Sequence, residues 1–268
     1  MDRDARIVKL KLDVIFKRIF GNEQNADIVS VLVADLLDIP PESIREIKID
    51  NVELPPDSLD QKFSRLDLRL RVDDRIVNVE MQVNNDLDFR DRTLFYWAKI
   101  YSDELKSGDA YAELRQTICI NIINFDLFDC EDYHSHFKVM ESERHETLTD
   151  KFAIHFFELR KIGKHSKNKR MEDWLRLINA ETEGELMDIM QSTTIPEVRK
   201  TVVMLRELSA DEKVRQEAYY REKRLHDEAS ALGHAERKGH TDERNDIIAK
   251  LRRKGFSDEQ IAELLSDD

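Results

Sequence analysis

The stretch RLDLRLRVDDRIVNVEMQV, residues 65–83, alternates apolar and polar side chains on both sides of the pair Asp73–Asp74. A period of two residues is typical of half-buried strands, and the short polar link predicts that the two strands form a hairpin. The apolar positions are Leu66, Leu68, Leu70 and Val72 in the first strand, and Val77, Val79, Met81 and Val83 in the second. The prediction of the fold starts from this hairpin.

The polar rows of the hairpin contain two acids that a symmetric turn places face to face. A turn centred on Asp73–Asp74 pairs Asp67 with Glu80. The same register pairs Arg69 with Asn78. Facing carboxylates repel each other and destabilise a strand pair, whereas a hard cation such as Mg²⁺ or Mn²⁺ would remove that conflict. The alternative is that both acids are solvated on an exposed sheet surface, neutralised by the arginines of the hairpin.

The segments around the hairpin predict an α/β core over residues 1–165, built on a mixed β-sheet flanked by helices. Helices are predicted at 13–37, with a break near Gly21, and at 89–106; further strands are predicted at 46–54, 117–125, 137–140 and 152–159. The helix at 89–106 is expected to bury Leu94, Trp97, Ala98, Tyr101 and Leu105. The nearly all-apolar run at 117–125 is typical of a strand that is buried on both faces.

The remaining residues predict a C-terminal helical extension. Residues 166–210 are expected to pack on the core, and residues 211–268 form a charged tail with few apolar anchors, typical of a solvated helix or an oligomerising arm. Breaks are predicted near Gly184, 193–196 and Gly239. Ser257 and Gln260 predict a capping box that opens the second helix of a terminal pair. That pair is either a self-association hairpin or a small helix-turn-helix-like DNA binder.

Composition excludes several classes of protein. No apolar run in the 268 residues approaches the roughly 20 that a membrane-spanning helix needs, and residues 1–11 carry no apolar signal segment. Two cysteines without CxxC spacing predict reduced thiols. The net charge of -13 argues against a general nucleic-acid coat, but it is compatible with a nuclease that needs only a local basic surface. The sequence contains no P-loop, GxGxxG or GxSxG motif.

Five segments, in this order, resemble one known family: FKRIFGNEQN, SRLDLRLRV, NVEMQV, DRTLFYWAKIYSDELKSGDAY and FAIHFFELRK. They resemble the PD-(D/E)XK nuclease family transposases, also called recombination-promoting nucleases, over roughly residues 10–165. The resemblance implies a restriction-endonuclease-like core and metal-dependent cleavage of DNA phosphodiester bonds, and it implies a place in DNA recombination or mobility. Together with residues 1–11, it leads us to expect a protein of the bacterial cytoplasm.

The resemblance also assigns roles to residues. Asp67 and Glu80 match the two motif acids and would bind the same ion, Mg²⁺ or Mn²⁺. Gln82 stands where many relatives in the wider superfamily carry Lys; its neutral amide can orient an attacking water but supplies no positive charge. Asp13 matches an acidic position in the first helix that can reach the metal site. From the sequence alone, Asp13 could equally cap that helix or pair with Lys17.

Outside this set, three residues of the helix after the hairpin, Arg90, Arg92 and Tyr96, are candidates for contacts with DNA phosphates. The alternative for each is an exposed charge or a packing contact. His134 and His136 form an HxH pair without a clustered third ligand, which favours a loop or edge-strand role over zinc. Glu158 and Lys161 are expected to brace the end of a strand.

The sequence therefore predicts a Mg²⁺-dependent endodeoxyribonuclease whose partner is DNA and which forms a homo-oligomer through the C-terminal helices. Two alternatives stay open. One is a non-cleaving module on the same fold that binds nucleic acid or protein, and the other is a nuclease directed at RNA.

Overall fold

A computed structural model describes residues 3–50, 68–85, 88–165 and 168–264. The chain divides into two compact units, Met1–Arg221 and Glu222–Asp268. The helices are α1 Asp13–Phe20, α2 Ala26–Leu37, α3 Phe89–Ser102, α4 Lys169–Asn179, α5 Glu183–Ser192, α6 Pro196–Ala210, α7 Glu212–Arg253 and α8 Asp258–Leu264. The predicted α/β fold, with a mixed sheet, flanking helices and a C-terminal helical extension, is confirmed.

The sheet lies in the first unit and has six strands in the order β1-β2-β3-β4-β6-β5. The strands are β1 Ile47–Ile49, β2 Leu68–Val72, β3 Arg75–Gln82, β4 Gln116–Ile123, β5 His134–Phe137 and β6 Phe152–Glu158. Strands β1, β2 and β3 are antiparallel, β3, β4 and β6 are parallel, and β5 runs antiparallel to β6. The β3–α3–β4 crossover places α3 across one face of the sheet, against β4.

The predicted hairpin register is confirmed over the described residues, because Arg69 pairs with Asn78 across a turn at Asp73. Asp73 adopts a positive φ of 52°, which Asp tolerates better than most residues. Its carboxylate also accepts backbone N–H bonds from Arg45 and Glu46, each at 3.0 Å. The turn acid therefore ties the hairpin to the segment that leads into β1. The predicted partner of Glu80, Asp67, lies outside the described residues.

The prediction of half-buried strands is wrong for the hairpin, since both rows of β3 are buried. α3 covers the polar row and, together with three strands, forms an apolar cluster: Ile76, Phe89, Ile100, Cys119, Ile123, Phe125, Ile154 and Phe156. On the other side of the sheet α1 contacts β3 and α2 contacts β1. The alternation in the sequence predicted the strands correctly, but it did not predict that a helix covers their polar side.

The expected buried face of α3 is also wrong. Phe89, Thr93 and Ile100 are buried, whereas Leu94 is 51% exposed. Trp97 is half-buried against the apolar cluster, and its ring Nε1 donates to the carbonyl of Thr117 at 2.8 Å. The helix carries apolar residues all round, so their spacing alone did not define one face.

Boundaries in the helical extension agree in part with the prediction. The break at 193–196 is confirmed, and the capping box is confirmed by bonds between the backbone N–H of Ser257 and Gln260 Oε1 and between the Gln260 N–H and Ser257 Oγ. The break near Gly239 is wrong, because α7 continues to Arg253. Gly184 lies inside the first turn of α5.

A buried carboxylate joins α2 to α4. Asp35 is 3% exposed, and it accepts hydrogen bonds from Arg170 Nε at 2.6 Å and from Trp174 Nε1 at 2.8 Å. Asp27, on the same helix, instead forms an exposed ion pair with Lys200. The two acids of α2 therefore differ in burial and in the number of side chains that donate hydrogen bonds to them.

We expect Asp35→Ala to lower the free energy of unfolding by about 2–3 kcal/mol, because it leaves the buried indole N–H of Trp174 unpaired and removes the partner of the half-exposed Arg170. The matched variant Asp27→Ala removes an exposed pair and should lower it by about 1 kcal/mol or less. Urea denaturation of both variants measures the difference. Equal losses would contradict the assigned role of Asp35.

Three histidine rings stack at the edge of the sheet. His134 and His136 lie on the edge strand β5, as predicted, and His155 of β6 lies between them and the core. His134 Nε2 and His155 Nδ1 are 3.0 Å apart, and the rings of His136 and His155 stack at 4.0 Å. Burial, helped by the positive charges of His136, His134 and Lys138, lowers the pKa of His155 to about 3.

We expect His155 to make the fold sensitive to acid. In the unfolded chain its pKa is about 6.5, so below that pH the unfolded state binds a proton that the folded state excludes. The contribution of His155 is fully present above about pH 6.5 and is lost as the pH falls toward about 3, by up to about 1.4 kcal/mol per pH unit. His155→Gln should flatten this slope in urea unfolding between pH 7 and pH 4.5. His226→Gln, at an exposed site on α7, should leave it unchanged.

Candidate active site

Glu80 lies near the end of β3, beneath α3, with its side chain only 11% exposed. Its Oε1 accepts a hydrogen bond from Nη2 of Arg92 at 2.9 Å. The interpretation that Glu80 is a solvated surface acid is therefore wrong. A carboxylate removed from water needs a cation or several hydrogen-bond donors, and α3 supplies a guanidinium.

Polar side chains surround Glu80 on this face of the sheet. Asn121 of β4 pairs in register with Glu80, and its Nδ2 donates to the carbonyl of His155 at 3.1 Å. Thr93 of α3 places its hydroxyl 3.4 Å from Asn121 Oδ1. Asn78 precedes Glu80 by two residues, and its buried Oδ1 has no hydrogen-bond partner among the described residues. A buried polar strip therefore crosses the middle of the sheet.

The negative charge of Glu80 also affects the pKa of a neighbouring thiol. Cys119, on β4, is 1% exposed, and it is a free cysteine, as is Cys130. Burial, and then the charge of Glu80, raises the pKa of the Cys119 thiol, which keeps it protonated. Cys119 therefore packs as a small apolar side chain and is unsuited to be a nucleophile.

Gln82 ends β3 on the same row as Glu80, and its side chain is half-buried. Its Nε2 donates to the carbonyl of Asn84 at 3.0 Å, and its own carbonyl accepts the N–H of Asn124. The amide is thus held against the chain that leaves the strand. The structure brings Gln82 and Glu80 onto one face of β3.

Asp13 is the first residue of α1, and its Oδ1 is 2.5 Å from Nε of Arg221 on α7. The N-cap of α1 is Leu12, so Asp13 does not fill the capping position. The side chain of Asp13 is 28% exposed. In this structure Asp13 joins α1 to the start of α7.

The candidate DNA contacts on α3 have different surroundings. Arg92 bonds to Glu80 and lies over the Phe89 ring at 4.9 Å. Arg90 donates to the carbonyl of Leu127 and lies 4.8 Å from the Phe128 ring centre. Tyr96 is half-buried, beside the ring of Phe95. Arg90 thus supports the loop after β4, and Arg92 supports the strip.

Glu158 and Lys161 brace the end of β6, as expected. Glu158 is 1% exposed, and its Oε1 accepts bonds from Lys161 Nζ at 2.8 Å and from the N–H of Leu127 at 2.6 Å. Lys161 also donates to the carbonyl of Phe128 at 2.7 Å. These contacts fix the same loop that Arg90 reaches.

The strip contains two kinds of oxygen donor for a hard divalent cation. Glu80 offers a buried carboxylate that already has a cationic partner, and Asn78 offers a buried amide oxygen, both donor types that Mg²⁺ accepts. Within the part of the chain that the structure describes, no three His, Cys, Asp or Glu side chains are placed to hold a metal. Asp67, the predicted second acid, lies outside that part.

Sequence reasoning missed the pairing of Arg92 with Glu80 and the two asparagines of the strip. Asn121 had a readable signal, because it is a polar residue inside the apolar run TICINIINF. A polar residue in a strand buried on both faces needs a partner, which here is the backbone of β6. The partnership of Arg92 had no such signal, since it depends on where α3 crosses the sheet.

Comparison with known protein families gives a match over most of the chain. A family model described as PD-(D/E)XK nuclease family transposase matches residues 10–235. No curated protein and no solved structure matches the chain. In the described residues, every helix is too short or too polar to cross a membrane.

Proposed function

The chain belongs to the PD-(D/E)XK nuclease family transposases, and on that premise we propose that it is a metal-dependent endonuclease that hydrolyses DNA phosphodiester bonds. The observation that carries the proposal is the buried carboxylate of Glu80, paired with Arg92 at 2.9 Å near the end of β3. Nucleases of this family generally use divalent metal ions. Recombination or DNA mobility is the process in which we propose that it acts.

In this proposal Asp67 and Glu80 hold Mg²⁺, with Mn²⁺ as a substitute. The bound ion would lower the pKa of a water and stabilise charge on a phosphate oxygen. Gln82 orients the attacking water through its amide. Asp67 directly precedes β2 in the sequence, and Leu68, the first residue of β2, pairs with Val79 beside Glu80. Asp13 assists only after its carboxylate leaves Arg221.

The alternatives are a binding module that does not cut and a nuclease directed at RNA. A pure binder has no need for a buried acid, because an uncharged side chain at position 80 would pack beneath α3 without a cation. The charged Glu80 therefore favours an enzyme. The choice between DNA and RNA rests on the family, since the proposed chemistry needs only a phosphodiester, which both contain.

We expect the purified chain to nick or cut supercoiled plasmid in Mg²⁺ or Mn²⁺ and not in EDTA. Asp67→Asn and Glu80→Gln should each lower the rate by at least about a hundredfold, because each removes one charged oxygen donor at nearly constant shape. Asp74→Asn is the matched control, since it removes one charge from the exposed turn of the same hairpin. Its rate should equal that of the wild type.

Cleavage that survives in Glu80→Gln would contradict the assigned site. Cleavage of a labelled single-stranded RNA, with the plasmid left intact, would favour the RNA-directed nuclease. Binding of DNA without cleavage in either metal would favour the binding module.

We also propose that the chain self-associates through its second unit. Leu232, Ile247, Phe256 and Leu264, all in Glu222–Asp268, are 38–56% exposed, and association would remove them from water. Two active sites in one dimer could then act on two strands.

Light scattering after size exclusion should give about twice 31.6 kDa for the full chain and a monomer for a chain that ends at Arg221. A monomeric full chain would contradict self-association. If the full chain is a monomer and the chain that ends at Arg221 binds DNA more weakly, the result would instead favour a DNA-binding role for the helix pair.

A further inference from the structure

We propose that Arg92 changes partners during catalysis: it neutralises Glu80 in the free protein and contacts the substrate phosphate when a divalent cation is bound at Glu80. The inference rests on the proposed nuclease function and adds a role for one residue of α3. It goes beyond a general DNA contact, because it couples metal affinity to the position of one guanidinium.

The burial of the two partners supports an exchange. The Glu80 side chain is 11% exposed and that of Arg92 is 27% exposed, so the arginine side chain as a whole is the more accessible of the two partners. Arg92 also lies over the Phe89 ring at 4.9 Å. This contact does not involve Glu80, so it can hold the guanidinium near the site after the ion pair opens.

Electrostatics makes the two cations competitors. Arg92 Nη2 is 2.9 Å from Glu80 Oε1, an oxygen that a metal ion would need as a ligand. Like charges at such separations repel strongly where burial weakens screening by water. When a metal ion is bound, Arg92 gives up its bond to Glu80 but keeps its charge, because arginine does not lose its proton. The anion that the substrate brings is a phosphate, whose oxygens match the guanidinium fork.

The proposed reaction also needs a positive charge in the strip. Gln82 is neutral, and its Nε2 donates to the carbonyl of Asn84. It can hold a water, but it cannot balance the negative charge that develops on a phosphate under attack. Arg92 is the cation that the structure pairs with Glu80 in the strip, and the geometry therefore assigns it that task.

The test measures Mg²⁺ affinity of the full chain by titration calorimetry without nucleic acid. Arg92→Gln should bind Mg²⁺ about tenfold more tightly than the wild type, because a competing cation is gone. Arg92→Lys keeps the cation and should stay close to the wild type. Arg90→Gln is the matched control: it removes the same charge from the same helix without contact to Glu80, and its affinity should change less than twofold.

Cleavage provides the second readout. At saturating Mg²⁺, Arg92→Gln and Arg92→Lys should both cleave plasmid at least about tenfold more slowly, because neither offers a guanidinium fork to the phosphate. Tighter metal binding with slower cleavage is the signature of the exchange. A residue that only braced Glu80 would instead weaken metal binding when removed.

Unchanged or weaker Mg²⁺ binding by Arg92→Gln would overturn the exchange, while metal-dependent cleavage by the wild type would leave the proposed function intact. Metal binding that persists in Glu80→Gln, or no Mg²⁺ binding by the wild type and Arg92→Gln alike, would overturn both proposals. Far-ultraviolet circular dichroism at each titration temperature verifies that the variants are folded. If Arg92→Gln does not fold, Arg92→Met serves as the uncharged variant, because its unbranched side chain packs in the same space.

Discussion

A carboxylate buried beneath a helix has to be neutralised, and this constraint on Glu80 organises the middle of the protein. The polar row of β3 would face water if α3 did not cross it, and α3 can cross it only by bringing Arg92 to the acid. Phe89 and Ile100 on the same helix complete the apolar cluster around the pair. The packing of α3 and the chemistry of the site are therefore one arrangement.

Much of the fold could be predicted from local patterns. The alternation at residues 65–83 gave the hairpin and its register, which the pairing of Arg69 with Asn78 confirms. The capping box at Ser257 gave the start of α8. Each of these features depends on neighbours in the sequence, so the residues themselves carry the information.

Features that depend on distant contacts could not be predicted in this way. The buried face of α3 and the position of β5, at His134–Phe137 instead of 137–140, depend on the parts of the chain that pack against them. The helix α7 continues through Gly239 because a single glycine weakens a helix without ending it. The site divides in the same manner. The sequence predicts Glu80 and Gln82 as site residues, whereas the pairing of Glu80 with Arg92 follows from the crossing of α3 over the sheet.

The parallel pairing of β3, β4 and β6 has a consequence for the order in which the chain folds. Hairpin β2–β3 closes over a two-residue turn, whereas β3 can meet β4 only after the whole crossover that contains α3 has folded back. Loop length therefore favours early closure of the hairpin, and the ion pair between Glu80 and Arg92 can form only once α3 has folded back over the sheet. Until α3 arrives, Glu80 is a charged residue on an uncovered strand, and a charge on an open strand opposes pairing with another chain.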